Sequence, residues 1–180
     1  MPAKSKPFPT IYLAHGAAGT AASMRPYVRA LEARGLKAAA VSLRQGTRPV
    51  PKAEKAVPEF VKAVPAGSIA GGQSYGGRVA SMAAVETGYR ALVLLSYPLH
   101  RPGHPESLRT EHWPSISCPV LLLSGESDPF ARLDLLKESV RLLARGSLVT
   151  FPKVGHGLLP VLDPAMDQVA AFLRECFGFD

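Results

Sequence analysis

The chain has 180 residues but only two cysteines, Cys118 and Cys176, and a single tryptophan. Two thiols exclude the disulfide framework of a small secreted scaffold. Both read as buried thiols, and neither has the charged surroundings that activate a catalytic cysteine. Long hydrophobic runs are also missing. Met1 to Pro9 carries two lysines and no apolar core, so neither an export signal nor a membrane span is expected and the cytoplasm is the default compartment. Acidic residues are fewer than basic ones, 14 against 21, which gives a net charge of +7 and an isoelectric point near 9.7. The basic residues are nonetheless scattered. They group only in the Lys4/Lys6 tail and along Lys52, Lys55 and Lys62, with no aromatic-interleaved binding motif. A solvated basic surface that draws in anionic substrates therefore fits better than a nucleic-acid interface.

Repeats, low-complexity tracts and interdomain linkers are absent too, so residues 1–180 read as one domain with a tail at 1–9. With 47% hydrophobic and 19% charged residues, that length buries a proper core but leaves no room for a lid domain. Six apolar runs read as strands, near 10–14, 37–43, 68–72, 91–96, 119–124 and 147–151. Helical stretches fill 20–34, 51–64, 75–87, 129–144 and 164–177, and Gly88 is expected to close the third of these in a left-handed conformation. Strand and helix alternate, which predicts a doubly wound α/β fold with a parallel sheet covered on both faces. The long stretch 97–117 contains Pro98, Pro102, Pro105, Pro114 and Gly103 and reads as loop with at most a short helix.

Between the third strand and its helix lies Gly71-Gly72-Gln73-Ser74-Tyr75-Gly76-Gly77. The pattern Gly72-x-Ser74-x-Gly76 is that of a nucleophile elbow, a turn so sharp that side chains must be missing around the serine at its apex. A glycine-rich turn with an ordinary surface serine gives the same letters, so context decides. A carboxylate and an imidazole follow in the chain order Ser, Asp, His. Asp128, just past the run Cys118 to Gly125, is the candidate acid, and Glu126 is its substitute. Asp128 before Pro129 also reads as a helix N-cap. His156, flanked by Gly155 and Gly157, is the candidate base. The small-residue loop His15-Gly16-Ala17-Ala18-Gly19 follows the first strand. There the Ala17 N–H, paired with the Tyr75 N–H, is placed to form an oxyanion hole, and His15 is read as orienting that loop.

The segment 97–117 offers Tyr97, His100, Arg109, His112 and Trp113 as candidate substrate contacts. Packing competes with that role: Trp113 suits a core anchor, and Arg109 suits an ion pair with Glu106 or Glu111. His100, His104 and His112 do not complete a recognised ligand set, so no metal is expected, and the chemistry requires no cofactor.

Taken together with Tyr97-Pro98-Leu99-His100-Arg101-Pro102-Gly103, Leu108-Arg109-Thr110-Glu111-His112 and Gly125-Glu126-Ser127-Asp128-Pro129-Phe130, these motifs resemble the α/β-hydrolase superfamily over almost the whole chain. Within it they resemble the small, capless, dienelactone-hydrolase-like subgroup. They are also similar to the hydrolase-like domain of a eukaryotic subunit of the NSL histone-acetyltransferase complex and its testis-expressed relative. Gln73 and Tyr75 depart from that pattern, where a basic residue and methionine are frequent, as does Ser96; Ser74 stands where dienelactone hydrolases carry cysteine. The resemblance implies strand order 2-1-3-4-5-6. It also implies a serine hydrolase of small esters or related acyl compounds, acting on a small-molecule substrate; the sheet edge near 37–43 suits either a monomer or a homodimer. A noncatalytic hydrolase-like scaffold for protein interaction is the alternative.

Overall fold

A computed structural model describes residues 8–43 and 51–178. Most of the expected tail, including Lys4 and Lys6, lies outside the described residues. Six strands form one parallel sheet: β1 (Ile11–Ala14), β2 (Ala38–Val41), β3 (Ile69–Gln73), β4 (Ala91–Leu95), β5 (Val120–Gly125) and β6 (Gly146–Phe151). Their order is β2-β1-β3-β4-β5-β6, every neighbouring pair parallel, as expected for an α/β-hydrolase fold. Among the described residues, five α-helices connect or follow them: α1 (Arg25–Glu32), α2 (Ala53–Ala63), α3 (Tyr75–Ala83), α4 (Leu133–Ser139) and α5 (Leu162–Phe177).

Side chains alternate across a strand, so a strand covered on both faces must be apolar at every position. β4 shows this directly. Leu92 and Leu94 join one core with Phe60 of α2, Val79 and Ala80 of α3 and Leu136 of α4. Ala91, Val93 and Leu95 join the other with Tyr27 and Leu31 of α1 and Met166 and Val169 of α5. The chain leaves β1 in one direction to form β2 and returns on the other side to form β3. The loops after β1 and β3 therefore flank the point where strand order reverses, the crevice in which open α/β sheets place ligands.

Three expected boundaries are corrected. α3 ends at Ala83, not near 87, because the next turns tighten: the Val85 and Glu86 amides donate to Met82 and Ala83, three residues back. Gly88 accordingly does not adopt a left-handed conformation, and its carbonyl accepts the Gly67 N–H at 2.8 Å. The helix expected from 129 starts only at Leu133 and gives way at Val140–Leu142 to a 3-10 turn. The proline-rich stretch 97–117 is irregular apart from a 3-10 turn at Trp113–Ser115.

Candidate active site

Ser74 sits between β3 and α3 with φ +49° and ψ −116°, a conformation that a residue with a β-carbon adopts at a cost of about 1–3 kcal/mol. Its N–H donates to the Leu95 carbonyl at 2.8 Å, and its own carbonyl accepts from Arg78 at 3.0 Å, so neighbouring structure holds the strain in place. The close approach needs Gly72. A β-carbon there would lie 2.5 Å from the Ala14 carbonyl oxygen and 2.7 Å from the Gly76 carbonyl carbon. The result is a short, strained turn that lifts the Ser74 hydroxyl above the strand end.

Asp128 follows the end of β5 and its side chain is fully buried. Its two oxygens bond different partners, and it is not the helix N-cap that Asp128-Pro129 suggests, because Arg132 precedes the first residue of α4. Oδ1 accepts the Phe130 N–H at 2.8 Å and so closes a turn ahead of α4, whereas Oδ2 lies 2.8 Å from Nδ1 of His156. His156 comes from the loop after β6, which is brought close by a backbone bond from the Ser127 N–H to the Val154 carbonyl, 2.9 Å. Gly125 permits that approach, since a β-carbon on it would lie 2.5 Å from the Val154 carbonyl carbon. The other imidazole nitrogen, Nε2, is 2.9 Å from Ser74 Oγ. A carboxylate only accepts, so Nδ1–H donates to Asp128, and Nε2 presents its lone pair to the Ser74 hydroxyl. Three side chains separated by up to 82 positions thus form one hydrogen-bonded chain. The Phe130 ring packs against the imidazole with centroids 4.4 Å apart.

A cavity of about 570 Å³ opens over Ser74 and His156, within the size range of small-ligand sites. Ala17 and Tyr75 line it. As the first residue of α3, Tyr75 has an N–H with no intrahelical acceptor. The Tyr75 hydroxyl donates to the Pro51 carbonyl at 3.0 Å, and burial raises its pKa above the ordinary tyrosine value. His15 is buried beneath the β1 loop, with Nδ1 donating to the Gly16 carbonyl at 2.8 Å and Nε2 accepting the Leu43 N–H at 3.0 Å. The Leu43 bond links the loop after β1 to the chain two residues past the end of β2.

The sequence matches the family described as "Alpha/beta hydrolase domain" over residues 8–168. This chain belongs to the alpha/beta hydrolase family. Among solved structures it is similar to Est1E from Butyrivibrio proteoclasticus, determined with ferulic acid. That match has 15% identity and a TM-score of 0.80, covering 98% of this chain and 93% of the other. A monoacylglycerol lipase from Paleococcus ferrophilus matches at 14% identity and TM-score 0.78, covering 93% and 94% of the two chains. At such identities the likeness shows the fold. A non-heme chloroperoxidase of Burkholderia pyrrocinia is 40% identical over 57 residues, 31% of this chain and only 20% of that protein's length.

The hydrolase fold places the other candidate residues unevenly. Arg109 lines the cavity, and among the described residues it makes no ion pair with Glu106 or Glu111; its Nη1 donates to the Pro98 carbonyl at 3.3 Å. Tyr97 and Trp113, offered as candidate substrate contacts, are instead wholly buried, with ring centroids 5.1 Å apart in the core beside Leu99, so the packing role that competes for Trp113 holds for both. An irregular segment still has an apolar inner side, and these rings supply it. His100 is buried as well. Its Nε2 accepts the Arg132 N–H at 3.0 Å and its Nδ1 donates to the Arg101 carbonyl at 2.8 Å, so it supports the turn after Asp128 rather than facing the cavity. His112 lies 2.8 Å from the Ser81 hydroxyl, and burial lowers its pKa. Glu126 is exposed and accepts the Thr150 hydroxyl at 2.8 Å, away from His156. Cys118 and Cys176 are partly rather than fully buried. Lys52, Arg78 and Arg101, none of them read as site residues from sequence, also line the cavity. Arg78 was legible in principle, because four residues beyond Ser74 is one helical turn.

Proposed function

We propose that this hydrolase cleaves small esters or related acyl compounds through an acyl-enzyme on Ser74. The hydrogen-bonded chain from Asp128 through His156 to Ser74, set at a strained elbow beside an open cavity, carries this reading. His156 takes the Ser74 proton as the hydroxyl attacks the carbonyl, and Asp128 holds the imidazole tautomer and stabilises its charge. The Ala17 and Tyr75 amides receive the developing oxyanion, each contributing about 3 kcal/mol to barrier lowering. His156 returns the proton to the leaving group, and water activated by the same imidazole then releases the acid. The scheme calls on no metal or cofactor. The dienelactone-hydrolase-like motifs add to the proposal an enzyme without a cap.

Fluorophosphonate labelling and turnover of a short p-nitrophenyl ester test it together. Ser74 is expected to be labelled, and Ser74→Ala to lower turnover by at least about 10⁴-fold. A folded protein that takes no label, with wild type and Ser74→Ala indistinguishable, would favour the scaffold alternative instead.

A further inference from the structure

Among the described residues, the cavity over Ser74 is lined by four cationic side chains, Lys52, Arg78, Arg101 and Arg109, and by no aspartate or glutamate. Glu54 on α2 offsets one of them, since its Oε1 accepts from Arg78 Nη2 at 3.0 Å. The others make no ion pair among the described residues. Arg109 is partly withdrawn from water with a backbone carbonyl at 3.3 Å as its side-chain acceptor. Burial, together with the charges of Arg78 and Arg101, depresses its pKa below the ordinary guanidinium value. The Nε of Arg78 is buried and has no partner among the described residues. Buried guanidinium groups are normally paired, and an orphaned buried donor calls for an acceptor. Here three arginines converge from α3 and from the 97–117 segment on a space that also contains the nucleophile.

We propose that the cavity selects acyl substrates carrying an oxyanion, a carboxylate or a phosphate, held by Arg78, Arg101 and Arg109 beside Ser74. This rests on the hydrolase reading above and assigns its substrate class. Arginine suits the task because its planar fork meets two oxyanion oxygens at once. The unbalanced positive lining also raises the local concentration of anionic substrate.

The experiment compares two esters of equal length, 4-nitrophenyl hydrogen glutarate and 4-nitrophenyl valerate, with glutarate and inorganic phosphate as competing ligands. Wild type is expected to prefer the anionic ester at least tenfold in kcat/KM, about 1.4 kcal/mol, mostly through KM, with the preference shrinking as salt is added. Arg101→Gln/Arg109→Gln is expected to reduce the preference below about threefold. Arg101→Gln alone, at an exposed side chain, gives the same direction if the double variant does not fold. Stronger competition by glutarate identifies a carboxylate substrate, and stronger competition by phosphate a phosphorylated one. Equal or reversed ester preference in protein whose Ser74 is labelled overturns the anion assignment and leaves the hydrolase reading standing. If Ser74 is unlabelled and neither ester turns over, the hydrolase reading fails. Calorimetric titration with the same two anions then decides the cationic site separately, and absence of saturable binding overturns it.

Discussion

His100 accepts the backbone N–H of Arg132 at 3.0 Å through Nε2, four residues beyond Asp128. Its own N–H donates to the Phe130 carbonyl at 3.0 Å, and its Nδ1 to the Arg101 carbonyl. One buried imidazole thereby ties the 97–117 segment to the turn that carries both Asp128 and the ring packed on His156. His100→Ala orphans the Arg132 amide, costing about 1–3 kcal/mol of stability, while the Arg101 carbonyl keeps the His104 N–H at 3.0 Å. The loosened turn is expected to lower kcat for a p-nitrophenyl ester about 10- to 100-fold with KM little changed. An unchanged kcat in the folded variant would show that the turn holds His156 without this imidazole.

Two acids compete for one role in the sequence, and geometry separates them. Asp128→Asn keeps the size of the side chain and an acceptor for the Phe130 N–H, but it no longer fixes Nδ1 of His156 as the donor. A fall of about 10⁴-fold in kcat is expected. Glu126→Gln touches only the exposed bond with Thr150, and activity within about twofold of wild type is expected. Ester kinetics on the two variants decide the assignment, and the reverse pattern would transfer the role to Glu126.

The sheet was legible because each strand is a compact apolar run set off by glycine or proline, and alternation with helices admits few topologies. The turn after β5 was harder. Asp128-Pro129 satisfies the rule for a helix start, yet the Oδ1 bond to Phe130 closes only a single turn, and Leu133 opens the helix. The same dipeptide suits both outcomes. Within 97–117 no periodicity separates inward from outward positions. Tyr97 and Trp113 therefore stood beside Arg109 as candidate contacts, although of these three only Arg109 reaches the cavity. The positive lining escaped notice because Lys52, Arg78, Arg101 and Arg109 are scattered in sequence and meet only when α2, α3 and the irregular segment close around one space.

Burial pushes the Tyr97 hydroxyl up to about 12 from its ordinary 10.0. The folded state therefore keeps a proton that the unfolded chain releases. Its contribution is fully present below pH 10 and is lost as pH rises toward 12, about 2–3 kcal/mol in all. Tyr97→Phe removes that dependence but leaves the Arg109 carbonyl without the hydroxyl that donates to it at 2.7 Å. The variant is expected to be less stable than wild type at pH 8 by about 1–3 kcal/mol, and the gap to narrow or invert by pH 11.5. Denaturant titrations at both pH values measure it, and a gap independent of pH would contradict the burial argument.

Ser96, the residue after β4, combines two unfavourable features. Its φ is +50°, and its wholly buried hydroxyl has no hydrogen-bond partner among the described residues. The left-handed backbone costs a residue with a β-carbon about 1–2 kcal/mol, and an orphaned buried hydroxyl about 1–3 kcal/mol. Glycine relieves both, against roughly 0.5–1 kcal/mol of added backbone entropy in the unfolded chain. The Ser96 N–H, which donates to the Leu123 carbonyl at 2.8 Å, is kept by the substitution. Ser96→Gly is therefore expected to stabilise the protein by about 1–3 kcal/mol and to raise the melting temperature by roughly 2–4 °C per kcal/mol. Ester turnover is expected to stay unchanged, since Ser96 does not line the cavity. A lower melting temperature would mean that the packing of this small side chain against its neighbours outweighs the strain and the unpaired hydroxyl together.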